Sequence, residues 1–177
     1  MITMTSVPAE PETLRFGYGD TELGSIAIVQ SVRGVVALFL GDDRAQLLRD
    51  LERAFPNAKL IADEAGLAQT VNQAVIMVNK PTSTTSLPLD LRGSAIELAV
   101  WTALRAIPKG ETRTYGEIAK SLPMAATAQE VGAACAANLV AVAVPCHRVV
   151  KSDGSVTGYR WGVKRKRKLI KREGADR

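Results

Sequence analysis

The sequence predicts an α/β (α+β) N-terminal lobe with a small sheet, residues 1–86, followed by a mostly helical C-terminal lobe, residues 87–177, that carries a helix-turn-helix. Three observations carry that expectation. Short runs rich in β-branched residues, broken by turn residues, fill positions 14–40, whereas apolar residues at helical spacing dominate beyond Ser94. Residues 79–86, NKPTSTTS, are polar and interrupted by proline, the composition of a linker. Charge is divided as well: residues 145–177 hold eleven Lys or Arg against three Asp or Glu, while residues 1–144 hold twelve against fifteen. A chain of 177 residues with 46% hydrophobic content can bury a substantial core, as one domain or as two small lobes.

The elements follow in order. Strands are expected at 14–18, 25–31 and 35–40, a three-stranded meander turned at Arg33-Gly34. Asp42 or Asp43 caps a helix whose Leu47, Leu48, Leu51 and Phe55 share one face, and Pro56 ends it. A second amphipathic helix covers about residues 65–78. Beyond the linker comes a short strand at 87–91, then a helix capped by Ser94 that buries Ile96, Val100, Trp101 and Leu104 and stops at Pro108-Lys109-Gly110. Thr114 with Glu117, and Thr127 with Glu130, read as two successive capping boxes separated by Pro123. Two short helices so delimited have helix-turn-helix geometry, and the small residues of the second permit close approach to another helix or to a sugar-phosphate wall. A strand at 140–144 stopped by Pro145, and a basic helix reaching Glu173, complete the chain.

Composition narrows the function. No apolar run reaches the length of a membrane span, and the start, MITMTSVPAEPETLRF, lacks the basic-then-apolar order of a secretion signal, so a cytoplasmic protein without a membrane partner is expected. One histidine and two cysteines argue against a metal site, and the cysteines are expected as free thiols. The run Lys164–Lys168 is either a solvated helix face or a contact to a polyanion such as nucleic acid.

The chemistry-bearing segment is AVPCHRVV at 143–150, where the only histidine stands beside Cys146. A cysteine attacks as thiolate, and His147 and Arg148 would favour that form. Neighbours in a regular strand point to opposite faces, so Cys146 and His147 cooperate only where the backbone bends or a water bridges them. Taken alone, the same pair serves equally as a small core residue and a satisfied histidine.

The order of the pieces resembles the O6-alkylguanine-DNA alkyltransferases (methylated-DNA–protein-cysteine methyltransferases), most closely the C-terminal half of their bacterial adaptive-response members. The resemblance rests on LPLDLRG (87–93), VWTALRAIPKGET (100–112), TYGEIA (114–119), ACAAN (134–138), VPCHRVV (144–150) and GYRWGVKRK (158–166), with ELGSIAIV and LGDD as weaker matches in the first lobe. It implies a DNA-repair enzyme in which Cys146 takes an alkyl group from O6 of a flipped-out guanine, with O4 of thymine as a second candidate. His147 would draw the thiol proton, through water, and Glu173 would orient the imidazole. Tyr115 would donate to the departing base, and Asn138 would tie backbone groups around the active-site strand. Val149, Tyr159 and Arg160 would line the guanine pocket, and Thr127, Ala128, Gln129 and Arg148 would contact substrate or DNA. No cofactor is implied. The partner would be double-stranded DNA containing O6-alkylguanine, with the helix-turn-helix in the minor groove and the protein a monomer. Because water does not cleave a thioether, each molecule would react once.

Two positions depart from the family pattern. Gln129 stands where an arginine usually enters the minor groove, and Glu130 where a small residue is usual. Either Glu130 turns back to cap its own helix, or the pair weakens DNA binding. The second case leaves, as an alternative function, an alkylated-DNA sensor with weak or no repair, although the family's sensors lack the acceptor cysteine. A cysteine hydrolase is a further rival, with no supporting feature beyond Cys146 and His147.

Overall fold

Burial alternates along β1 (Thr13–Thr21), with Leu14 and Phe16 inward and Arg15 outward, and this strand becomes an inner member of a four-stranded sheet. The computed structural model describes residues 11–174, so the first ten residues of the segment read for a secretion signal, and the last three of the C-terminal lobe, lie outside the described residues. β2 (Gly24–Gln30) and β3 (Val35–Gly41) follow antiparallel, as the meander requires. Asp43 caps α1 (Arg44–Ala54) by accepting the Gln46 amide hydrogen, and Leu47 and Leu51 are its buried residues. The chain then returns as β4 (Lys59–Ala62), parallel to β1, giving the order β3-β2-β1-β4. Sequence reasoning missed β4 because its four residues include none fully buried, which leaves no period-two signal. α2 (Glu64–Asn79), capped by Asp63, lies on β1. Gly19 permits that approach, since a Cβ there would stand 2.8 Å from Cγ1 of Val71.

No strand forms at 87–91. Leu89 makes only an isolated bridge to Val35, where Pro88 O accepts the Val35 amide and the Asp90 amide returns to Val35 O. Pro88 has no amide hydrogen to offer a longer ladder. α3 (Ala95–Arg105) opens with a full Ser94/Glu97 capping box. β5 (Arg113–Thr114) leads into α4 (Tyr115–Ser121), and α5 (Ala128–Ala137) completes the helix pair. The capping box at α5 is reciprocal, whereas at α4 the Glu117 carboxylate takes the Thr114 hydroxyl rather than its backbone N–H. The Trp101 indole N–H donates to Ala134 O at 2.9 Å, fixing α5 against α3.

The expected strand at 140–144 is also replaced. Leu139 O and the Ala141 amide bond the main chain of Leu38 in β3, and the chain then turns, with Val142 at φ 67°. A β-branched residue is strained in that region, and a strand cannot continue through it. A 3₁₀ turn at Cys146–Arg148, β6 (Val149–Val150) parallel to β5, and α6 (Val163–Glu173) finish the fold. The two segments at 88–90 and 139–141 close the free edge of β3, whose first six residues are all buried. One buried cluster runs from Leu14 and Ile28 through Val100, Trp101 and Val140 to Cys146 and Leu169.

Candidate active site

Pro145 ends the 139–144 segment and the next three residues wind into a single 3₁₀ turn, so Cys146 and His147 do not alternate as strand residues would. The bend demanded by the sequence is therefore present. Asn138, 1% exposed, sits behind it. Its Nδ2 donates to Val144 O at 3.0 Å, Val140 O at 3.4 Å and Cys146 Sγ at 3.3 Å, and its Oδ1 accepts the Val140 amide at 2.9 Å. One side chain thereby satisfies the irregular backbone that replaces the strand and holds the sulfur as well.

His147 is wholly buried, and α6 brings Glu173 to it across 26 residues of sequence: Nε2 and Glu173 Oε1 are 2.8 Å apart. A carboxylate only accepts, so Nε2 carries the hydrogen. Burial holds the imidazole below its ordinary pKa against the pull of Glu173. The ring is therefore neutral at neutral pH and Nδ1 is its basic nitrogen, with no hydrogen-bond partner among the described residues. Glu173 is held at a pKa of about 2; burial would raise it, but the hydrogen bonds from His147 and Arg148 prevail.

Arg148 belongs to this group and not to the pocket. Its Nε and Nη2 donate to the two Glu173 oxygens at 3.0 and 2.9 Å, and Nη1 donates to Ile107 O at 2.8 Å. It is 7% exposed, so the expected contact to substrate or DNA is replaced by a buried bidentate ion pair. Arg148 and His147 Nε2 turn to Glu173 rather than to the thiol. Burial pushes the Cys146 thiol up, and Asn138, Lys166 and Arg160 only partly offset it.

The thiol faces a cavity of about 270 Å³ lined by Tyr115, Gly132, Cys135, Ala136, Cys146, Gly158, Tyr159 and Arg160. Three of the expected site residues thus meet Cys146 there: Tyr115 from the start of α4, and Tyr159 and Arg160 from the segment before α6. Burial raises the Tyr115 hydroxyl above its ordinary pKa, keeping it a proton donor. The Tyr159 hydroxyl is enclosed with no partner among the described residues. Arg160 Nη1 donates to Ala136 O at 3.0 Å, tying this segment to the end of α5. Val149 is fully buried in the strand pair and is not among the lining residues. Cys135 and Cys146 are both free thiols, and burial pushes Cys135 up to about 12.

Thr127, Ala128, Gln129 and Glu130 are all exposed at the opening of α5. Glu130 Oε1 accepts the Thr127 amide at 3.1 Å while its own amide donates to Thr127 Oγ1, so the carboxylate caps its helix. Sequence reasoning overlooked four lining residues, Gly132, Cys135, Ala136 and Gly158, and it misjudged the basic run. Lys166 is fully buried, and Arg165 binds Asp42 and Leu23 O, leaving Lys164, Arg167 and Lys168 exposed. The alternation of Lys166 and Leu169 on one helix face was the available signal. No helix among the described residues is long and apolar enough to cross a membrane.

Fold and site together define a class: a sheet lobe joined to a helix-turn-helix lobe, presenting a buried thiol beside a His–Glu pair at the wall of a small cavity. The family described as 6-O-methylguanine DNA methyltransferase, DNA binding domain, matches residues 95–175. The chain is 34% identical to the inducible methylated-DNA--protein-cysteine methyltransferase of Bacillus subtilis, over 81% of this chain and 80% of that one. It belongs to the methylated-DNA--protein-cysteine methyltransferase family. The bifunctional transcriptional activator/DNA repair enzyme Ada of Escherichia coli is 42% identical over 92% of this chain, and the chain spans about half, 46%, of that relative's length. The crystal structure of the Mycobacterium tuberculosis O6-methylguanine methyltransferase superposes with a TM-score of 0.74 at 30% identity, covering 92% of this chain and 93% of that one. The crystal structure of Mycobacterium tuberculosis OGT in complex with DNA matches with the same TM-score, 0.74, at 30% identity over 92% of this chain and 93% of that one.

Proposed function

We propose that this chain repairs DNA by moving a methyl or other alkyl group from O6 of guanine to Cys146, once per molecule. The observation that carries the reading is the 2.8 Å pairing of His147 with Glu173 directly behind the residue that presents its thiol to the cavity. His147 Nδ1 takes the thiol proton, through a water, and Glu173 stabilises the imidazolium that forms. Sγ then displaces the alkyl carbon in line; the S–C bond forms as the C–O6 bond breaks. The guanine leaves with its negative charge met by the Tyr115 hydroxyl, and finally recovers the proton that the thiol gave up. Asn138 holds the sulfur throughout. The resulting thioether is stable to water, so the protein is consumed.

The finer picture is a monomer acting in the cytoplasm on double-stranded DNA. The start of α5, with Thr127, Ala128 and Gln129, enters the minor groove, and Tyr159 and Arg160 receive the flipped base. Exposure of the first three residues and the lining positions of the last two support it. Val149 contributes by fixing the strand that follows the acceptor turn. The chain acts as two lobes, 1–86 and 87–177, with the chemistry in the second. Mass spectrometry after mixing with a duplex containing O6-methylguanine tests the reading. One added methyl, confined to the peptide bearing Cys146 and absent from Cys146→Ser, is expected. Continued turnover beyond one equivalent, or no adduct at all, rejects it.

A further inference from the structure

Lys166 is among the largest fully buried side chains of the protein, yet nothing in the reaction just described uses it. Its Nζ donates to Thr157 O at 2.9 Å and Gly158 O at 3.3 Å, and it stands 6.0 Å from the centre of the Tyr115 ring. Gly158 and Tyr115 both line the thiol cavity. Lys166 therefore lies just behind two walls of that cavity. Gly158, at φ 63°, occupies a backbone region that glycine enters freely, and this turns its carbonyl to the ammonium.

Among the described residues no carboxylate pairs with Lys166, in contrast to Arg148 with Glu173 and Arg165 with Asp42. An ammonium buried without an anion is costly, and two carbonyls with a ring face offset only part of that cost. The missing anion is one that the reaction makes. The groups turned toward this region are Tyr115 from α4, Cys135 from α5, Tyr159 and Arg160 from the segment before α6, and Cys146 with His147 and its partner Glu173. Of these, only the sulfur of Cys146 must become negative for the displacement to occur.

We propose that Lys166 is a positioning residue for the alkyl transfer: it clamps the 157–158 carbonyls that shape the cavity wall and is the counter-charge for the Cys146 thiolate. The proposal rests on the alkyl-transfer reading above. Burial drives the Lys166 pKa down while the two cysteines drive it up, and Lys166 in turn lowers both thiols, as mutual attraction requires. Lys166→Arg keeps the charge, and Lys166→Met keeps most of the volume without it.

The test follows the pH profile of Cys146 alkylation by iodoacetamide in the full chain, with Cys146 distinguished from Cys135 by peptide mass. Lys166→Met is expected to move the midpoint upward by about one pH unit, a roughly tenfold loss of rate at neutral pH that higher pH restores. Lys166→Arg is expected to recover most of the rate. An unshifted midpoint in folded Lys166→Met overturns the charge role. A second measurement leaves Lys166 in place: its Nζ titration, followed by NMR, is expected to move down in Cys146→Ser, because the coupling is reciprocal. An unchanged titration there overturns the proposal as well. Iodoacetamide needs no DNA, so the two readings fail separately. An unsubstituted protein that takes no methyl from an O6-methylguanine duplex rejects alkyl transfer itself, whereas an unshifted iodoacetamide profile rejects only the part given to Lys166.

Discussion

Glu173 has both carboxylate oxygens committed, one shared by His147 and Arg148 and the other held by Arg148 alone. Replacing it removes more than an orienting group, because Arg148 would be left as a buried cation without its anion. Glu173→Gln is expected to destabilise the fold by about 3–5 kcal/mol, and denaturant unfolding measures it. A loss under about 1 kcal/mol would mean that solvent readily reaches Arg148. At this scale the sequence was uneven. The cysteine, the histidine and the bend after Pro145 are local and could be read directly. The contact with Glu173 spans 26 residues and depends on where α6 docks, which spacing does not encode. Arg148 was misread for the same reason: a cation two residues after a cysteine takes another partner in a 3₁₀ turn, here Glu173.

At the scale of elements, α5 shows why local pattern was sufficient in one place and misleading in another. Thr127 and Glu130 satisfy each other within one turn, and such reciprocal bonds are visible in sequence. The carboxylate is thereby turned to the amide and hydroxyl of Thr127, and Gln129 remains the exposed side chain that would face a duplex. Gln129→Arg is expected to speed transfer from alkylated duplex by about tenfold, through one further cationic contact, and to leave transfer from the free base unchanged. Single-turnover rates on the two substrates decide it, and equal gains on both would place the effect at the thiol. The segment at 139–144 went the other way. Its apolar, β-branched composition reads as a strand, but after one bridge to Leu38 the chain turns at Val142, and Asn138 takes the polar groups left over.

For the whole molecule, the buried titrating groups set an acid limit. His147 is held below its ordinary 6.5 and Glu173 falls from 4.5 to about 2, so the unfolded chain binds more protons than the folded one in acid. Both contributions are complete above about pH 6.5 and fade as pH falls, His147 first and Glu173 between about 4.5 and 2. Glu12 and Asp90 are also held low and act in the same direction. Urea midpoints are expected to decline steadily from pH 7 to pH 4, and a flat profile would show that His147 binds a proton as readily in the folded chain as in the unfolded one. The general division into a sheet followed by helices was legible because periodicity and charge both change along the chain. The joining of the two was not, since it depends on isolated bridges at Val35 and Leu38.

The docking of α6 carries a last consequence. Arg165 reaches Leu23 O and Asp42, and Arg172 reaches Glu22, so the helix that delivers Glu173 and Lys166 is strapped to the β1–β2 turn and the end of β3. Among the described residues, the first lobe contributes no side chain to the cavity beside Cys146. It works as a jig: it holds the far end of the lever on which the acid and the ammonium are mounted. Sequence drift at Glu22 or Asp42 can therefore retune the sulfur's reactivity from a distance, while every residue lining the cavity stays the same.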